Sequence, residues 1–163
     1  MAVAARLGQS KVSMPIILPD DEAFVPRDPR TIAFHEAGHA VGSMALKLPP
    51  FAFVQIRPRA MTWLSAIHCH PYKYAIGCLC GPVAQAVFER CATSTVLSGP
   101  NCRTDLDTAN MMLAQRKPPT VVDPVIINHT ERLVVKHWGA ITRVAELLLD
   151  RGRLDYPTDL PAG

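Results

Sequence analysis

The sequence has little charge of one sign in excess. Its 17 lysines and arginines stand against 14 aspartates and glutamates, a net of +3 over 163 residues. A nucleic-acid binder depends on a concentrated basic surface, so that class is set aside. Long apolar runs are also missing. The longest uncharged stretch, Tyr74 to Phe88, is interrupted by Gly77, Gly81 and Pro82 and is too short to span a bilayer. The opening MAVAARLGQS has one arginine and no apolar core of signal-peptide length. No internal repeat occurs, and no G-x-x-x-x-G-K-[ST] loop, which excludes a P-loop ATPase. Five cysteines, an odd number (Cys69, Cys78, Cys80, Cys91 and Cys102), without a leader imply reduced thiols in a soluble, cytoplasmic protein.

What is present is a globular composition: 48% hydrophobic and 19% charged residues. The length suits one domain with a sizeable core. Residues 1–27 carry Pro15, Pro19 and Pro26 without periodicity and read as an extended or partly ordered arm. Asp28-Pro29 is a helix start, and a helix from about Arg30 to Leu48 should end at Pro49-Pro50. Residues 51–59 alternate as a strand, with 62–70 as its hairpin partner. Helices follow over about 72–90, 105–116 (capped by Thr104) and 124–150. The last is bent or split at Gly139 and stopped by Gly152. The segment 98–101 reads as a loop and 156–163 as a flexible tail. The expected fold class is mainly α with a small β-sheet or hairpin, an α+β domain over 28–155.

The chemistry is concentrated in His35-Glu36-Ala37-Gly38-His39. Residues i and i+4 lie one above the other on a helical face, so two imidazoles can bind one metal ion. Zinc suits imidazole nitrogen. Glu36, beside the first ligand, can take a proton from a metal-bound water and pass it to a leaving amine. Two histidines four apart also arise by chance. Here they sit on a capped helix among Ala33, Ala37, Gly38, Ala40 and Gly42, and that setting favours the metal.

A catalytic zinc takes a third protein ligand. No H-x-x-G-x-x-H continuation follows His39, which leaves the carboxylates Asp105 and Asp107. Thr104-x-x-Asp107 has the spacing of a capping box, which gives Asp107 a structural job. Asp105 at the helix start has no such job, and the helix N-terminus favours its negative charge. That reasoning leans to Asp105 and leaves Asp107 open.

TIAFHEAGHAV (31–41) resembles the zinc helix of the FtsH-type ATP-dependent metalloproteases. VQIRPR (54–59), LCGPVAQAVFE (79–89), SGPNCRTDLDTANMM (98–112) and the closing stretch 130–155 resemble further segments of that family in the same order. The resemblance covers about residues 30–155. It implies an FtsH-peptidase-like helical domain with zinc as cofactor. His35, His39 and Asp105 would be the ligands and Glu36 the general base. Substrates would be peptides or unfolded proteins. Pro82 and Gln85 stand where the family has arginine and glutamate. The 98–105 loop carries extra residues, and the segment between strand and second helix is shorter. With no membrane anchor or motor in these 163 residues, the expectation is a soluble, ATP-independent metallopeptidase. A separate ATPase or adaptor would serve as partner for folded substrates. The alternative is a non-catalytic or regulatory zinc-stabilised binding module. The residues themselves set no oligomeric state.

Three further features have plain readings. His68, Cys69, His70, Cys78 and Cys80 could form a second metal site, but their spacings match no common zinc module, and cysteines in an apolar helix are usually core. His129 and His137 read as surface residues of the last helix. Between Ala37 and Thr104 six basic residues face one acidic residue, Glu89. Arg57 and Arg59 could attract acidic substrate segments, though charges on a strand edge more often serve to block aggregation. An exposed edge of the 51–59 strand could hold an extended peptide by β-addition.

Overall fold

In the computed structural model the described residues are 28–49, 52–57, 60–62 and 70–160. The proposed arm over 1–27 lies outside them. The chain runs α1 (Pro29–Ala45), β1 (Phe53–Gln55), β2 (Met61–Thr62), α2 (Pro71–Glu89), α3 (Thr93–Leu97) and a 3-10 turn (Pro100–Cys102). It continues with α4 (Arg103–Ala114), α5 (Pro124–Lys136), α6 (Trp138–Arg151) and β3 (Arg153–Asp155). The fold is mainly helical with a small antiparallel sheet, consistent with the α+β expectation. Among the described residues no helix is long and apolar enough to cross a membrane.

Helix α1 starts where the cap signal places it. The Asp28 carboxylate accepts from the Arg30 amide at 2.9 Å, and Pro29 opens the first turn. It ends at Ala45, three residues short of the expected Leu48, because Lys47 turns left-handed at φ 54°. Every residue from Ala33 to Ser43 is buried. This is a central helix rather than a surface one, and its small side chains let α2 approach closely. A Cβ at Gly38 would run into the Cys80 carbonyl oxygen of α2. At the other end of the interface Phe34 stacks on Phe88 (ring centroids 4.3 Å apart) and on Trp138 (5.3 Å).

The sheet has the order β2-β1-β3, both pairings antiparallel. Val54 lies opposite Thr62 on one side and Leu154 on the other. Two expectations change here. Of the strand read over 51–59, the described residues are regular over 53–55, and among the described residues this is the middle strand, with a partner on both sides rather than a free edge. Within the described residues the edge strands are β2 and β3. Strand β3 was not anticipated. Gly152, at φ 77°, ends α6 and turns the chain back so that Leu154 pairs with Val54, both fully buried. The hairpin partner read over 62–70 falls mostly outside the described residues, and its described part pairs one residue earlier, at Met61–Thr62.

Helix α5 uses the second cap-plus-proline signal: the Asp123 carboxylate accepts from the Ile126 amide at 2.8 Å. The split before α6 comes at His137 rather than Gly139. Helix α3 falls where no element was expected, and the 3-10 turn overlaps the segment 98–101 read as a loop. Helix α4 begins at Arg103, so Thr104 lies inside it and does not cap it. Residues 156–160, read as tail, form a turn in which Leu160 is buried and Arg151 pairs with Asp159 at 2.9 Å. The core beneath α1 and α2 is aliphatic, with Ile76, Leu79, Val83, Leu113, Val134, Ile141 and Leu148 essentially inaccessible.

Candidate metal centre

Helical spacing puts His35 and His39 on one face of α1, and both are buried. Their Nε2 atoms are 3.1 Å apart. The first turn of α4 brings Asp105 to them. Asp105 Oδ2 is 3.2 Å from His35 Nε2, and Oδ1 is 3.4 Å from His39 Nε2. A tetrahedral ion about 2.0–2.1 Å from each ligand atom sets those atoms about 3.3 Å apart. The two ring nitrogens and the two oxygens of the Asp105 carboxylate thus stand at separations that suit one small cation. Among the described residues these three form the one group of His, Cys, Asp and Glu able to hold a metal ion.

Asp107 takes no part. It is exposed and faces Arg103 one turn back, at 3.8 Å. The capping-box role expected for it fails because α4 starts one residue before Thr104. Asp105 is consequently the third residue of the helix rather than the first. It remains in the first turn, where the helix dipole favours its charge.

The far side of each ring is also engaged. His39 Nδ1 donates to the Gly77 carbonyl at 3.0 Å, and His35 Nδ1 faces Gln85 Oε1 at 3.2 Å. A carbonyl can only accept, so His39 carries a proton on Nδ1, and its neutral form keeps the lone pair at Nε2, the atom a metal needs. Gly81 lets α2 pass under the same ring, since a Cβ there would overlap His39 Nε2.

Burial works against a charged His35, but hydrogen bonding to Asp105 and Cys102 and the charges of Asp105 and Glu36 outweigh it. They raise its pKa well above the ordinary value. His39 is raised for the same reason, burial again opposing and Asp105 prevailing. Burial would lift Asp105, yet the two rings hold it well below the usual carboxylate range. Protons and a cation thus compete for one enclosed position beside the Asp105 carboxylate.

Glu36 is buried beside the centre, and its charge is felt by both histidines. The Thr62 hydroxyl of β2 donates to Glu36 Oε2 at 2.7 Å. Thr62 was missed in the sequence because its role depends on a two-residue strand docking against α1, which leaves no periodic signal. Gly77 and Gly81 were equally hidden, one acting through its backbone and the other through its lack of a side chain.

Other candidates fall elsewhere. His68 and Cys69 lie outside the described residues. His70 is exposed, and Cys78 and Cys80 are buried in α2, where burial pushes the Cys80 thiol up to about 12. Arg57 is committed to the end of α6, donating to the Leu149 carbonyl at 3.3 Å. Arg59 lies outside the described residues. His129 is exposed and meets the Tyr72 hydroxyl at 3.0 Å. No protein-family model matches the chain, and no curated protein matches it.

Proposed function

We propose that the protein is a zinc-dependent peptidase. The observation that carries this reading is the convergence of His35 Nε2, His39 Nε2 and the Asp105 carboxylate, with the Glu36 carboxylate held beside it by Thr62. Two imidazoles and one carboxylate are a donor set suited to catalytic zinc, which keeps one position open. When bound, the ion polarises a carbonyl and makes water more acidic.

The chain's own groups supply the rest. Thr62 occupies Glu36 Oε2, which leaves Oε1 to take a proton from the attacking water and return it to the leaving amine. An acid amide in place of Glu36 could not make that transfer. A metal held only for structure has no use for such a base, and this disfavours a purely structural module. Among the described residues strand β2 is an edge of the sheet, and it touches Glu36 through Thr62. An extended peptide adding to that edge passes the base, and main-chain pairing orients it without demanding a sequence.

These 163 residues contain no phosphate-binding loop for a motor. On their own they act on peptides, unfolded chains or flexible segments, and folded substrates need a separate ATPase or adaptor. Free thiols at Cys78, Cys80, Cys91 and Cys102 suit a cytoplasmic setting. The test is zinc content of the purified protein, followed by cleavage of casein. One zinc per chain with zinc-dependent cleavage supports the reading. Zinc-loaded protein that leaves casein intact contradicts it.

A further inference from the structure

Gln85 lies on α2, nearly buried, among three polar neighbours from different parts of the chain. Its Oε1 is 3.2 Å from His35 Nδ1, and its Nε2 donates to Glu89 Oε1, also at 3.2 Å. The Cys102 thiol donates to the same Gln85 Oε1 at 3.8 Å. Thr31 Oγ1 donates to Glu89 Oε1 at 3.2 Å from the first turn of α1.

The two ends of an amide are told apart by what they must bond. The Glu89 carboxylate accepts, so the NH₂ end of Gln85 turns to it. The oxygen then turns to His35, and a ring nitrogen facing an acceptor carries the proton. Neutral imidazole has one N–H. With that hydrogen on Nδ1, His35 Nε2 keeps its lone pair toward His39 and Asp105. A reversed amide would put NH₂ against Nδ1 and favour the other tautomer, whose Nε2–H cannot ligate.

We propose that Gln85, oriented by Glu89, is the positioning residue of this centre: it sets the tautomer of His35 and ties that ligand to the segment delivering Asp105. The second half of the role follows from Cys102, which is buried three residues before Asp105 and bonds the same oxygen. Glutamine suits position 85 because a carboxylate there would face Glu89 one turn away on the same helix face, and like charges at that spacing repel. The proposal rests on the metal reading above.

The experiment measures zinc affinity of the full chain by competition with a chromophoric chelator, for wild type, Gln85→Leu, Glu89→Ala and Glu89→Gln. Partners behind metal-binding histidines are worth about 10–100-fold in affinity. Gln85→Leu should fall in that range. Glu89→Ala should weaken binding several-fold, while Glu89→Gln, which keeps a carbonyl acceptor, should match wild type. In zinc-loaded, ¹⁵N-labelled protein the His35 Nδ1–H proton should exchange slowly in wild type and rapidly in Gln85→Leu and Glu89→Ala. Glu89 is exposed at the helix end, so its variants keep the test open if Gln85→Leu fails to fold. Wild-type affinity in Gln85→Leu, or equal affinities in Glu89→Ala and Glu89→Gln, would overturn the proposal. A wild-type protein that binds no zinc instead refutes the metal reading itself, a distinguishable result.

Discussion

The hydroxyl of Thr62 donates to Oε2 of Glu36 across 2.7 Å. This one bond joins the edge of the sheet to the middle of the central helix. It holds the Glu36 carboxylate, the proposed general base, in place and sets strand β2 beside it. Thr62→Val keeps the shape and removes the donor. The net worth of one such bond is about 1 kcal/mol, so kcat should fall roughly fivefold. Zinc affinity should not change, because Thr62 touches no ligand. Peptide kinetics combined with chelator competition check both halves.

The ligand assignment separates two aspartates only two positions apart. Asp105→Ala should abolish tight zinc binding, as should His35→Ala and His39→Ala. Asp107→Ala should bind zinc like wild type, since that side chain is exposed and faces Arg103 rather than the histidines. Zinc content after dialysis against a weak chelator distinguishes them.

Much of this centre was legible in the sequence because its parts are local. The capped start at Asp28-Pro29 and the i, i+4 histidines need only helical geometry. The α5 start at Asp123-Pro124 was readable on the same grounds. What escaped depends on contacts between distant segments. Strand β3 is three residues long, and its reason to be extended is Val54, about a hundred residues earlier. The middle position of β1 could not be seen without it. Thr104 resembled a cap, yet the 3-10 turn at Pro100–Cys102 leads straight into α4 and moves its start to Arg103. The break at His137 preceded the glycine that suggested it, since a glycine weakens a helix without fixing where it parts.

The pH dependence follows from the raised histidines and the lowered Asp105. In metal-free protein, a histidine with a raised pKa stabilises the fold below the unfolded value of about 6.5. That contribution is lost as pH rises through the folded value. Asp105, lowered, stabilises above the unfolded value of about 3.9 and loses its contribution only in strong acid. Zinc displaces the histidine protons, so its affinity should fall as pH drops from about 8 to 6. The rise in Tm on adding zinc should accordingly be larger at pH 8 than at pH 6. Calorimetry with and without zinc at the two pH values checks the sign.

Close approach of α1 and α2 gives a further expectation. Gly81→Ala places a methyl group against the His39 ring, and Gly38→Ala places one against the Cys80 backbone. Overpacking of this kind costs about 1–3 kcal/mol. Both variants should melt earlier. Gly81→Ala should also lose zinc affinity, while Gly38→Ala, which faces backbone rather than a ligand, should lose less. Thermal melts and zinc titration of the two proteins separate the effects.

The central claim is that this centre cuts peptide bonds with Glu36 as its base. The most direct measurement compares kcat/KM of zinc-loaded wild type and zinc-loaded Glu36→Gln on a fluorogenic peptide library. General-base catalysis contributes about 10²–10⁴-fold. The account predicts that Glu36→Gln binds zinc like wild type and is slower by at least the lower figure. Equal rates for the two zinc-loaded proteins, or no cleavage by either, would contradict it.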